Sequence, residues 1–291
     1  MMPESPDAPE PSPGGPTAMS PKTLPAAHGW LWVLHGFALF RAYPAFWFLL
    51  LLFYWLLLLL TGSVPLIGAW AATILIPGLS GGFMVACHAA QNKLPPLPAH
   101  LFWPFRAVAT RKAQWLLGVA YLACLVAILG ASALIDGGAL FRIMLVGVKL
   151  NDGALQAPRL QEAGLLALTL YTPVMLAFWF APALCFWHGM GASKALFFSF
   201  FAGLRNTKAF FVYGMGWMLF AGVIPLLAGA MLSLILPGGA QGASLAALII
   251  APYMVVVVCA MILSFYSSFI DVFGAPSAPS APPSPPPPAS R

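Results

Sequence analysis

Charge is what this chain lacks. Only 7% of its 291 residues are Asp, Glu, Lys or Arg, while 61% are hydrophobic. Soluble domains carry roughly 25% charged residues, so this composition excludes a water-soluble surface. The scarcity is also uneven. Residues 42–92, 113–135, 163–193 and 209–270 contain no Asp, Glu, Lys or Arg at all. A helix crossing a bilayer takes about 20 apolar residues, so the second and third stretches hold one crossing each. The first, 51 residues long, is broken by Thr61-Gly62-Ser63-Val64-Pro65, and the fourth, 62 residues long, by the turn signal at 237–242, Pro237-Gly238-Gly239-Ala240-Gln241-Gly242. Each reads as a hairpin. The prediction is an all-α polytopic bundle of six transmembrane helices.

Further absences narrow the function. Ion-coupled carriers keep an ionisable group inside the bilayer, where such groups are costly; the four stretches hold no acid and no Lys or Arg, which disfavours a proton- or sodium-driven carrier. The four cysteines, Cys87, Cys124, Cys185 and Cys259, lie in or at the ends of apolar runs, which argues against structural disulfides. The tail before the first run is acidic, with Glu4, Asp7 and Glu10. That is unlike a cleavable signal peptide, so the first helix is expected to stay attached.

What charge there is has a pattern. The net charge of +6 comes from bases scattered singly between apolar runs, which does not suit nucleic acid. With a cytoplasmic N-terminus, Lys22, Arg41, Lys93, Arg106, Arg111, Lys112, Lys194, Arg205, Lys208 and Arg291 fall inside, and Arg142, Lys149 and Arg159 outside. Ten against three obeys the positive-inside rule and places both termini in the cytoplasm. Residues 1–27 and 272–291 are rich in Pro, Ala and Ser and read as unstructured cytoplasmic tails around a transmembrane domain at 28–271.

Basic, aromatic knots recur before the rising helices, at Phe37-Ala38-Leu39-Phe40-Arg41, Leu101-Phe102-Trp103-Pro104-Phe105-Arg106 and Phe197-Phe198-Ser199-Phe200-Phe201. They suggest three repeated hairpins, each made of a short cytoplasmic interfacial segment, a helix out and a helix back. In the third copy Leu196, Phe200 and Leu204 share one apolar face with Phe197 and Phe201. The returning helices carry Pro77, Pro182 and Pro252, which a spanning helix tolerates only where neighbours satisfy the freed backbone. Outside, Leu140 to Leu145 in the segment 136–162 is expected to form a short surface helix.

Three clusters offer chemistry. Gly78-Leu79-Ser80-Gly81-Gly82 matches G-x-S-x-G and the G-x-S-G of intramembrane serine proteases. The soluble version needs a strand before the serine, and a dyad needs a histidine at the same depth. His88 lies eight residues further on, about 12 Å along a helix, so Gly78, Gly81 and Gly82 are better read as close-packing residues. Cys87-His88 and Cys185-x-x-His188 offer zinc-type ligands at equivalent helix ends, but from separate helices. No residue is therefore assigned as catalytic, cofactor-binding or metal-binding. The expected reading is a non-enzymatic envelope scaffold or auxiliary subunit, with a passive or lipid-directed translocator as the alternative. Its expected partners are the lipid bilayer and a membrane-protein partner or a second copy of the chain.

At Gly29-Trp30 with Gly36-Phe37 and Phe40-Arg41, at Leu75-Ile76-Pro77-Gly78-Leu79-Ser80-Gly81, at Phe178 to Leu184, and from Ala195-Leu196 through Ser199 to Arg205-Asn206, the chain resembles an uncharacterised family of six-helix inner-membrane proteins of proteobacteria. More distantly it is similar to the membrane domains attached to some glycerophosphodiester phosphodiesterases. The resemblance, over about residues 28–270, implies an inner-membrane location and a six-helix fold and brings no catalytic residue with it.

Topology is directly testable. Reporter fusions after Asn92, Gly153 and Asn206 are expected to read inside, outside and inside. Changing Arg205 and Lys208 together to Glu is expected to weaken cytoplasmic retention of their loop. A periplasmic reading at Asn206 in the unaltered chain refutes the orientation.

Overall fold

The structure, a computed structural model, describes residues 20–106, 108–146 and 158–275. Among these residues the only regular secondary structure is helix, with no strand. Helix α1 (Ala27–Ala42) leads into α2 (Pro44–Gly62) and α3 (Gly68–Gln91). A 3-10 turn (Pro98–Phe102) and the short α4 (Trp103–Arg106) precede α5 (Arg111–Asp136). The short α6 (Ala139–Phe141) follows, then α7 (Pro158–Trp179), α8 (Ala181–His188), α9 (Ala192–Arg205), α10 (Thr207–Met218), α11 (Ile224–Ser233) and α12 (Gly239–Phe273). Six apolar spans are long enough to cross a membrane: Pro44–Gly62, Gly68–Gln91, Arg111–Asp136, Arg159–His188, Thr207–Ser233 and Gly239–Phe273. These are the six expected crossings.

One turn differs from the sequence reading. The second hairpin turns at 234–238, and residues 239–242 are already helical. Gly238 is extended (φ −65°, ψ 162°), and Gly242 has no Cβ to collide with the Pro237 carbonyl, so a glycine-rich run can start a helix. Lys22 N–H donates to Val272 O at 2.9 Å, and Leu24 N–H to Asn206 Oδ1 at 2.8 Å, so the segment before α1 is tied to the bundle. At the other end α12 continues to Phe273. Residues 1–19 and 276–291 lie outside the described residues, as do residues 147–157 within the segment 136–162. The expected short helix there is seen as α6 continuing into a π-turn at Arg142–Val146. Asp136 steadies it by accepting the N–H groups of Gly138 (2.8 Å) and Leu140 (2.7 Å).

The three hairpins, taken as units with their leading segments, close on one another. The interfacial segment of each unit packs on the returning helix of the unit before it: Pro98–Arg106 on α3, α9 on α7 and α8, and α1 on α12. The second copy is not a continuous helix, because Pro95, Pro96, Pro98 and Pro104 remove donors and clash with a helical path. At its start Leu97 N–H donates to His100 Nδ1 at 2.9 Å. Burial pushes the His100 imidazole below its ordinary pKa, favouring the neutral ring that this bond requires.

Helices in lipid gain nothing from burying apolar surface against one another; they associate where small residues let backbones approach. The contacts follow that rule. A Cβ on Gly36 would strike the Ala260 carbonyl, one on Gly29 the Ala209 carbonyl, and one on Gly118 the Ile74 carbonyl. On α3, Gly78 faces the Phe105 ring, Gly82 faces the Leu101 backbone, and Gly81 has room for a Cβ only 3.2 Å from Pro182 Cβ. The packing role expected for this glycine cluster is thus what the structure shows. Helix α3 is the hub: 61% of its most apolar window is buried, against 17% for α2.

Helix α9 shows the same preference. Its buried face is Ala195, Ser199, Ala202 and Gly203, while Phe197, Phe201 and Leu204 are exposed. Of the stripe read from the sequence, Phe197, Phe201 and Leu204 therefore point away from the bundle, while Leu196 and Phe200 are half-buried and Leu196 packs against the core.

Replacing Gly82 with Val is expected to lower stability in mild detergent by at least about 2 kcal/mol, since the clash is with backbone that cannot rotate away. Replacing the exposed Leu59 with Ala should change it by less than about 0.5 kcal/mol. Unfolding midpoints against denaturing detergent compare the two, and equal tolerance refutes the packing account.

Candidate functional site

Ser80 sits one turn after Pro77 within α3, and its hydroxyl donates to Pro77 O at 2.7 Å. That bond occupies the proton a nucleophile would have to give up. Cys87 is fully buried. His88 Nδ1 lies 3.0 Å from Tyr266 Oη, and the Tyr266 hydroxyl donates to Gln91 Oε1 at 2.9 Å. One arrangement satisfies every atom: His88 Nδ1–H donates to Tyr266, and His88 Nε2 accepts from Asn92 Nδ2 at 3.3 Å. Cys185 is buried on α8, and His188 lies against the Phe269 ring, its Nε2 buried without a partner. The two Cys/His pairs are not gathered into one ligand set: among the described residues no group of three or more His, Cys, Asp or Glu could hold a metal.

What these residues do build is a junction. At the end of the bundle that carries Lys93, Arg106, Lys112, Arg205 and Lys208, hereafter the basic end, the three returning helices meet. Trp187 of α8 packs on Tyr266 and Phe269 of α12 and against His88 of α3, and Phe180 packs on Phe269 and Phe273.

Two spans are interrupted, the returning one between α7 and α8 and the rising one between α10 and α11, and polar side chains repair the breaks. Between α7 and α8 the Ser199 hydroxyl accepts Phe180 N–H at 2.9 Å and donates to Leu176 O at 2.7 Å. These two groups would bond each other in an unbroken helix, so Ser199 is inserted into the ladder, a recognised cause of kinks. Gln114 Nε2 donates to Pro182 O at 2.9 Å just beyond it. In the rising helix of the third unit, a π-turn at Leu219–Val223 leaves the Phe220 carbonyl to accept from Tyr253 Oη at 2.7 Å. Asn206, read from the sequence only as part of a basic loop, is almost wholly buried. Its amide nitrogen donates to Lys22 O and Ala202 O, both at 2.9 Å.

A partly polar concavity of about 410 Å³ lies at the basic end between α1, α3 and α12 and is bordered by His35, Gln91, Ser267 and Asp271. Asp271 Oδ2 accepts from Trp32 Nε1 at 2.7 Å and pairs with His28 Nδ1 at 2.9 Å. None of these residues was singled out as a site in the sequence. The available signal was Asp271 itself, an acid ending the longest uncharged stretch among basic neighbours.

A bundle of apolar helices exposing Leu59, Phe211, Leu226 and Leu248 to its surroundings defines a polytopic membrane protein. No family model and no solved structure matches the chain. A probable inner membrane protein of Burkholderia thailandensis is 39% identical over 256 residues, which span 86% of this chain and 92% of that protein. The chain belongs to this family of inner-membrane proteins.

Ser199 offers a test of the repair. Ser199→Ala leaves Phe180 N–H and Leu176 O to find each other, and it is expected to destabilise the protein by about 1–3 kcal/mol, the cost of a buried unsatisfied polar group. An unchanged unfolding midpoint would mean that the helix simply closes.

Proposed function

We propose that the protein is a non-enzymatic scaffold or auxiliary subunit of the inner membrane, with both termini in the cytoplasm. The observation that carries this reading is the filled interior. Trp32, Trp47, Phe180, Tyr266 and Phe269 are among the largest side chains that are fully buried, and they belong to one contiguous core cluster. The ring contacts of Trp187, Phe180 and Tyr266 occupy the junction of the returning helices. A translocator built on those helices would need space there, so their packing favours the scaffold over the passive or lipid-directed translocator. Ser80, committed to a backbone carbonyl, and the dispersed Cys/His pairs lend no support to catalysis. The distant likeness to membrane domains attached to glycerophosphodiester phosphodiesterases is compatible with this role, since those domains are membrane parts joined to a separate catalytic unit.

A scaffold holds partners in fixed proportion. Extraction in polymer-bounded lipid particles, followed by mass spectrometry, is expected to recover a membrane protein or a second copy of the chain in constant stoichiometry. Protein-dependent flux of lipid or small solutes across reconstituted vesicles, without such a partner, would overturn the reading in favour of translocation.

A further inference from the structure

The concavity at the basic end is furnished unlike the rest of the molecule. In α12, the Ser264 and Ser268 hydroxyls donate to carbonyls three residues back, at 2.6 and 2.7 Å. Ser267, between them and bordering the concavity, makes no hydrogen bond among the described residues. The Gln91 amide has its oxygen engaged by Tyr266, which leaves its NH₂ available. Asp271 has one oxygen committed to Trp32 and His28, and the other makes no hydrogen bond among the described residues. The His35 ring makes none there either. Ala38, Leu39 and Ala42, which follow His35 on α1, and Ile270 make the rest of the lining mainly apolar.

Charge sharpens the picture. Of the described acids, Asp136 and Glu162 lie at the other end of the bundle, so Asp271 is the one acid at the basic end. Nine described bases share that end: Lys22, Arg41, Lys93, Arg106, Arg111, Lys112, Lys194, Arg205 and Lys208. A retained carboxylate beside NH₂ and imidazole groups, with bases around it, complements a ligand that carries a cation and an anion a few bonds apart. Helix α12 is 35 residues long, about 52 Å at 1.5 Å per residue, against about 30 Å of hydrocarbon. Its Asp271 end therefore reaches the headgroup layer, and the apolar lining gives a tail somewhere to lie.

We infer that this concavity binds the headgroup of a zwitterionic phospholipid bearing a primary ammonium, of the phosphoethanolamine type. The ammonium donates to Asp271 and Ser267. The phosphate accepts from Gln91 Nε2 and His35. The volume of about 410 Å³ is within the range of small-molecule sites, roughly 300–1,000 Å³. This goes beyond the scaffold reading and does not depend on it.

The test uses the full-length protein in mild detergent, with native mass spectrometry to count bound lipid and thermal unfolding to read stabilisation. Phosphatidylethanolamine is expected to bind about tenfold more tightly than phosphatidylcholine, whose methylated nitrogen has no hydrogen to donate to a carboxylate. Asp271→Asn should remove that preference. Because Asp271 also holds Trp32 and His28, Ala38→Trp is the companion variant: Ala38 is exposed in the concavity, so a larger ring should block the ligand while leaving the lipid-free unfolding temperature unchanged. Equal binding of the two lipids, strongest binding of phosphatidylglycerol, or an undiminished preference in Ala38→Trp would each overturn the proposal. Soluble phosphoethanolamine binding as tightly as the lipid would overturn the lipid source in favour of a free metabolite. A partner protein recovered or missing in the extraction experiment has no bearing on these outcomes.

Discussion

Everything in this bundle depends on how closely one helix backbone can approach another. In water, helices are driven together by burying apolar surface. In lipid that drive is absent, because acyl chains are as apolar as leucine, and cohesion comes from close van der Waals contact. The chain meets this constraint with glycine, alanine and serine at the crossings. Gly29 and Gly36 seat α1 on α10 and α12, Gly118 seats α5 on α3, and Gly78 and Gly82 seat the Leu101–Phe105 segment on α3. The cyclic order, with each interfacial segment lying on the returning helix of the preceding unit, makes these crossings mutually supporting: α1 at the start of the chain is locked by α12 at its end.

Close approach comes with broken helices, and breaks expose backbone groups that lipid cannot satisfy. Each repair found here uses a side chain from elsewhere in the chain. Ser199 reaches the gap at Phe180 from α9, Gln114 reaches Pro182 from α5, and Tyr253 reaches Phe220 from α12. Asn206 extends the idea to the N-terminal segment, taking Leu24 N–H and giving its own to Lys22 O. The few polar residues of the interior are thus joints, and their scarcity makes each one hard to replace.

This division explains what could be read from the sequence. Span number and position follow from hydrophobic length, a property of consecutive residues, and the glycine cluster at 78–82 betrays close packing by its composition. Asn206, Ser199 and Gln114 were not legible, because their meaning lies in partners 19 to 184 residues away. The aromatic stripe of α9 was legible as a stripe but not in its direction. A pattern of large apolar residues marks the inward face of a soluble helix, whereas in lipid the small residues turn inward and Phe197 and Phe201 are left outside. The start of α12 escaped for a related reason: Gly239 to Gly242 reads as a turn until the Pro237 carbonyl is seen to need the space at Gly242.

The candidate site escaped for a reason tied to membrane proteins as a class. Along the spans, selection for insertion removes charge wherever chemistry does not demand it, so a binding group stands out as a charge kept where a neutral residue would serve. Asp271 is such a charge. It ends the longest uncharged stretch, and by sequence alone it could be merely the point where the helix leaves the bilayer. In the fold it holds Trp32 and His28 with one oxygen and borders a concavity with Ser267 and Gln91, while Tyr266 and His88 tie Gln91 to the aromatic junction behind it. A ligand at Asp271 would therefore touch α1, α3 and α12 together. Among them, α1 and α12 join the start of the chain to its end, so recognition at this point bears on the closure of the whole bundle.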